Sequence, residues 1–146
     1  MRIFKAELWN LELLLPLFEQ YRREQGMQEN PERALAFLAN RIRFSESILF
    51  LALNDAQQAV GFVQLYPRLS SLRLQRYWQL TDIFVSDIPN QTAIMHELLR
   101  KSCEFVSFTQ SNLLVVESTQ NQREFWQQQG FKLNPNKGVF EVRLAD

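Results

Sequence analysis

The stretch LTDIFVSDIPNQTAIMHELL (residues 80–99) decides the fold. Its opening, LTDIFV, is rich in β-branched and aromatic residues and reads as a strand. Its end repeats apolar residues at three and four, with Ile94, Met95, Leu98 and Leu99 continuing to Phe105 and Val106, which predicts a helix over 91–108. Glu97, Arg100, Lys101 and Glu104 fall on the outer side of that helix. Between strand and helix lies a short polar loop without glycine. Strand, loop and helix in this order aim a helix N-terminus, with its unpaired N–H groups, at whatever occupies the strand end, a field worth about 0.3–1 kcal/mol toward an anion.

Outward from this stretch the pattern alternates. Residues 1–8 read as an opening strand, and Asn10 is placed to cap a helix carrying Leu13, Leu14, Leu17, Phe18 and Tyr21, which Gly26 ends. A second helix starts at NPER, with Asn30 as cap and Pro31 in its first turn, and bears Leu35, Leu38 and Ile42 on one stripe. SILFLAL (47–53) and AVGFVQLYP (59–67) predict an antiparallel pair, and PRLSSLR is the turn into a third strand over 74–85. After the 91–108 helix, NLLVVES is a continuous apolar run suited to a strand covered on both faces. QNQREFWQQQGF follows as a short helix stopped by Gly130, its three glutamines forming a solvated face. Residues 131–133 and 139–144, around the turn NPNKG, predict a closing hairpin. The order β-α-α-β-β-β-α-β-α-β-β predicts an α/β (α+β) domain over 1–146, with a mixed, mostly antiparallel sheet and helices on both faces.

Composition narrows the function. The chain has 146 residues, 46% of them hydrophobic, which suffices for one core. Sixteen basic and sixteen acidic residues cancel, so no bulk field points to nucleic acid or to an anionic membrane. LELLLPLF is too short for a signal peptide or a membrane span and is broken by Pro16, and the single Cys103 has no internal partner, so the expected compartment is cytoplasmic and reducing. Cys103, mid-helix, is expected to be a small buried residue rather than a nucleophile. No metal-ligand spacing, nucleophile elbow or Walker loop is present. Arg68, Arg73 and Arg76 punctuate the turn between the second and third hairpin strands, where a solvated turn and a surface for an acidic partner both fit.

The element order, together with ESILFLAL, GFVQLYPRLSS, YWQLTDIFV and FWQQQGF, resembles the GNAT superfamily of acyl-CoA-dependent N-acetyltransferases over nearly the whole chain, and in particular a bacterial subgroup with a GF-QLYP--SS hairpin. The resemblance implies transfer of an acetyl group from acetyl-CoA to a primary amine by direct attack. It implies that Ile83, Phe84 and Val85 offer backbone groups to the pantetheine arm, in a cleft where their strand parts from NLLVVES. It further implies that Gln91, Thr92, Ala93, Ile94 and Met95 meet the pyrophosphate, and that Asn121 contacts the cofactor. As a plain structural alternative, Asn121 is a helix cap.

The chain departs from the family pattern at two places. The pyrophosphate signature Q/R-x-x-G-x-G/A aligns with Asn90, Ala93 and Met95, so the cationic fork and both glycines are missing, and no Lys or Arg lies between Ser86 and Glu97. Met95 falls in the apolar stripe and is expected to turn inward, while Asn90 also fits an ordinary N-cap. On the late helix, the family tyrosine that protonates the departing thiolate aligns with Trp126, whose indole has no proton at a useful pKa. For the base, the candidates are Asp82, Glu117 and the only histidine, His96. Asp82 suits either a cleft carboxylate or a structural hydrogen-bond acceptor, and His96 a solvated position. A small-molecule or peptide amine is the expected partner, and a homodimer stays open. The other reading is a GNAT-fold module that has lost CoA binding and serves as a ligand-binding or protein-interaction domain.

Overall fold

The computed structural model describes residues 1–144. It has five strands and four α-helices in the order β1 (Arg2–Lys5), α1 (Leu11–Glu24), α2 (Pro31–Arg43), β2 (Ile48–Leu53), β3 (Ala59–Ser70), β4 (Gln75–Val85), α3 (Gln91–Phe108), β5 (Leu114–Val116) and α4 (Arg123–Gln128). Short 3-10 turns precede α1 and α4. The sheet runs in sequence order, β1 to β5, antiparallel until the last pair, where β5 lies parallel to β4. The parallel pair exists because α3 carries the chain back across one face, the connection a parallel neighbour requires.

Helices cover both faces, as the sequence predicts. Leu14, Leu17, Phe18 and Leu38 of α1 and α2 pack on Leu49, Leu51 and Phe62. On the other face Ile94, Leu98, Leu99 and Val106 of α3 and Trp126 of α4 pack on Val63, Leu65, Leu80 and Val85. Alternation along β3 sorts its side chains, with Phe62 to one layer and Val63 to the other, so one strand feeds two cores. Gly61 sits where β3 meets α3 most closely. A Cβ there would lie 3.2 Å from Leu98 Cδ1 and Val85 Cγ2.

Several elements differ from the sequence reading. The first strand stops at Lys5, and Asn10 does not cap α1: its Oδ1 accepts from the Glu7 N–H at 2.8 Å, closing the preceding 3-10 turn. Asn30 caps α2 as expected, accepting from the Arg33 N–H at 3.2 Å. β3 continues through PRL to Ser70, with Arg68 paired to Tyr77 and Arg76 to Leu69, so only Arg73 lies in the turn. Pro67 is tolerated because β2 ends at its pairing with Leu65, leaving β3 beyond it without a neighbour on that side. β5 is three residues long and half-buried, an edge rather than a strand covered on both faces.

The expected closing hairpin does not form among the described residues. The turn is present, with the Lys137 N–H donating to Asn134 O at 3.3 Å, but neither arm is a strand. The first arm loses its start to the end of α4. Gly130 adopts φ +93° and donates to Gln127 O, while the Phe131 N–H donates to Trp126 O, a Schellman motif that uses the amide a ladder would need.

Candidate functional site

β4 and β5 pair only from Trp78↔Leu114 to Leu80↔Val116, and residues 81–85 of β4 continue without a β5 neighbour. On its other side this part of β4 is laddered to β3 from Asp82 onward, past a bulge at Thr81, with Val63↔Ile83, Phe62↔Phe84 and Gly61↔Val85. Ile83, Phe84 and Val85 therefore line one side of a gap that opens where the two strands part. Backbone groups on that side have lost their ladder partners and must be satisfied by something else. One already is, since the Gln91 side-chain amide donates to Val85 O at 3.0 Å.

The gap leads to α3. Asn90 occupies its N-cap position, but its side chain makes no capping hydrogen bond. Thr92 and Ala93 are exposed in the first turn, Gln91 is half-buried on Val85, and Ile94 is buried in the core. Met95 turns inward against the same core, as its place in the stripe requires. These five residues thus divide: Gln91 binds the Val85 carbonyl, Thr92 and Ala93 face solvent, and Ile94 and Met95 serve packing.

Asp82 lies on the other layer of the sheet. Phe84 packs with α1, so Asp82, two residues earlier on the same strand, shares that side. Its Oδ1 accepts from the Tyr21 hydroxyl at 2.7 Å and its Oδ2 from the Thr81 hydroxyl at 2.6 Å. Burial, and then the hydrogen bond and charge of Asp82, push the Tyr21 phenol well above its ordinary value, so Tyr21 stays a donor at any physiological pH. Burial raises Tyr66 as well, with the Asp82 charge adding to it and Arg41 opposing it. Tyr21 is thus bonded to Asp82, and Tyr66 lies near enough to feel the same charge. The sequence places Tyr21 in an apolar stripe. Its hydroxyl was the one signal of a polar partner.

Glu117 lies just beyond β5 and is exposed, accepting from the Gln79 side-chain amide at 3.3 Å. His96 is exposed on α3. Asn121 is exposed and caps neither turn, since Thr119 precedes the 3-10 turn and Gln122 precedes α4; its Oδ1 accepts from the Thr119 hydroxyl at 2.5 Å. Cys103 is exposed rather than buried, and desolvation by its neighbours still raises its thiol above the ordinary value. Trp126 is 8% exposed and packs edge-on against Phe125 and Phe131, and its indole N–H has no hydrogen-bond partner. It belongs to the apolar layer that also holds Leu80, Val85 and Val116. Among the described residues there is no cluster of His, Cys, Asp and Glu that could hold a metal ion, and no helix is long and apolar enough to cross a membrane.

Comparison with known proteins agrees with this geometry. No family model matches the chain. A probable acetyltransferase of Haemophilus influenzae is 58% identical over 145 residues, covering 99% of both chains. The crystal structure of a probable acetyltransferase superposes with a TM-score of 0.91 at 33% identity, covering 100% of this chain and 99% of that one. The aminoglycoside 6'-N-acetyltransferase AAC(6')-Ih of Acinetobacter baumannii shares the fold at a TM-score of 0.80 and 16% identity, over 99% of both chains. A mixed five-stranded sheet whose fourth and fifth strands part near a helix N-terminus, together with 58% identity over its full length to a probable acetyltransferase, makes this chain a member of the GNAT superfamily of acetyltransferases.

Proposed function

We propose that the protein is an N-acetyltransferase that takes acetyl-CoA as donor and a cationic primary amine, on a small molecule or a peptide, as acceptor. The observation that carries this reading is the free side of β4 over residues 81–85, ending beside the N-terminus of α3. The fit to the donor is good along the arm and poor at the phosphates. An amide-bearing pantetheine arm can pair with the backbone of Ile83, whose N–H and C=O point away from β3, as a missing strand would, and the orphaned Trp126 indole N–H is a spare donor in the adjoining layer. At the phosphate end Thr92, Ala93 and the helix N–H groups face solvent, with no Lys or Arg in residues 86–97.

Acetyl-CoA supplies an acyl thioester, which is activated toward attack by a neutral amine. The protein's own residues bind, orient and deprotonate the acceptor. Asp82, held by Tyr21 and Thr81, is a fixed negative charge among aromatic rings, suited to drawing in an ammonium group. Glu117, exposed where β4 and β5 part, is free to pass the amine's proton to water. Tyr21 and Trp126 hold their protons throughout, so departure of the thiolate relies on hydrogen bonding or water. Rate enhancement then rests chiefly on positioning.

The test is calorimetric titration of the protein with acetyl-CoA and with CoA at low and moderate salt. Dissociation constants in the micromolar range are expected, with weak salt dependence because no cationic side chain meets the phosphates. Absence of heat at millimolar CoA would overturn the reading.

A further inference from the structure

β3 and β4 run on past the end of β2 as a two-stranded arm, since β2 ends at Ile48, opposite Leu65, while β3 and β4 stay paired out to Ser70↔Gln75. One face of this arm continues the layer that holds Asp82. Side chains alternate along β3, so Gln64, Tyr66 and Arg68 share the side of Phe62, which packs with α1. Their cross-strand partners Asp82, Gln79 and Tyr77 lie on that side too. The Asp82 charge reaches the Tyr66 phenol, as this placement requires. The outer part of the face is open: Tyr66, Tyr77 and Gln79 are half-buried and Arg68 is exposed.

The open face is polarised. Its inner half carries Asp82 and also Glu117, which accepts from the Gln79 side-chain amide at 3.3 Å. Its outer end carries Arg68. Neither Asp82 nor Arg68 makes an ion pair among the described residues. Nothing on the arm can neutralise Arg68, because no Asp or Glu occurs from residue 56 to residue 81. Arg41, the cation whose charge reaches Tyr66, is already engaged by Glu46 at 3.2 Å. Gln64, across from Asp82, and Arg68 are four residues apart on one strand, which sets the two free charges about 13 Å apart along it. Two tyrosine rings lie between them, a surface for an extended chain and not for a compact ion.

We propose that this face is the track of the acceptor, and that the acceptor is a short extended peptide with its N-terminal amine at Asp82 and a carboxylate about four residues on, at Arg68. The ammonium meets a fixed negative charge, and the carboxylate meets a planar guanidinium fork that no group of this chain occupies. A small amine without an anion leaves Arg68 unused, and a peptide of two residues falls short of it. Arg68 touches the substrate far from the transferred group, so it selects which amine is taken and leaves the chemistry of transfer to the inner end. The proposal rests on Asp82 receiving the amine, as in the function proposed above, and narrows the acceptors open there to one class.

Amide chemical-shift titration of the isotope-labelled full chain tests it, with tetraglycine, tetraglycine amide, N-acetyl-tetraglycine, and a pentapeptide amide of glycines with glutamate in fourth place. Tetraglycine is expected to shift the amides of Tyr66, Arg68, Tyr77 and Asp82, and to bind up to about fivefold more tightly than the forms with either end neutralised, the range of an exposed ion pair. Arg68→Gln is expected to bring tetraglycine down to the affinity of its amide, while Arg73→Gln, in the exposed turn of the hairpin, keeps the preference. Tighter binding of tetraglycine than of the glutamate peptide would assign the carboxylate to a chain end, and the reverse to a side chain. Shifts confined to other residues, equal affinity for tetraglycine and its amide, or a preference that survives Arg68→Gln would each overturn the proposal. The titration needs no CoA, so a chain that binds the peptide as expected but gives no heat with CoA refutes the donor and leaves the track standing.

Discussion

Glu19 shows how much one side chain can carry. It is 2% exposed on α1, accepts from Arg22 at 2.6 Å and from the Asn30 N–H at 2.6 Å, and so ties the end of α1 to the start of α2. Burial alone would raise its carboxyl, but the Arg22 hydrogen bond, the Asn30 N–H and the charges of Arg22 and Arg23 outweigh that and hold it below the ordinary 4.5. A depressed folded-state value stabilises the protein above the unfolded value and loses that stability as pH falls through the folded one. Glu19→Gln should therefore cost about 1–3 kcal/mol near neutrality. It should also flatten the loss of stability below pH 4.5, as read by urea melts over a pH series. At this scale the sequence was a partial guide. It found the Asn30 cap, because an Asn-Pro start is a local signature. It misread Asn10 as a helix cap, and the cap alternative for Asn121 fails too, since their oxygens accept from Glu7 and Thr119; it also missed the phenol of Tyr21 on Asp82, a partner sixty-one positions away.

Among the elements, α3 matches its sequence-predicted span because eighteen residues repeat one stripe. β5 does not, because a short apolar run carries no period, and its length is set by where β4 diverges. The first turn of α3 is also where binding can be improved. Asn90 and Ala93 are both exposed, so Asn90→Arg with Ala93→Gly adds a cationic fork and removes a Cβ without touching the core. Restoring a glycine at Met95 would instead excavate packing against the α3 layer. The double variant is expected to tighten CoA binding about tenfold, equal to about 1.4 kcal/mol. Its affinity should weaken with added salt more steeply than that of the unmodified protein, in parallel titrations. An unchanged dissociation constant would show that the phosphates lie elsewhere.

For the whole molecule, the sheet is a shared floor for two cores, and β3 supplies side chains to both. Phe62 is fully buried, 5.5 Å from the Phe18 ring and 5.4 Å from that of Tyr21, on the strand that places Val63 in the opposite layer. Phe62→Ala should cost about 3–5 kcal/mol. The thermal transition should stay single and coincide by tryptophan fluorescence, which reports Trp78 and Trp126 in the α3 layer, and by circular dichroism; separate transitions would mean that the layers unfold independently. The sequence by itself determined the helices, β2 and β4 to within a residue, and the element order through α4 that identifies the family, because periods of 3.6 and 2 are written over a few neighbouring residues and survive whatever packs on them. Only the tertiary structure decided that β4 outruns β5, that Gln91 takes the Val85 carbonyl, that Tyr21 holds Asp82, and that residues 139–144 stand uncovered. Each of these depends on register and packing between segments far apart in the chain, which no local pattern encodes.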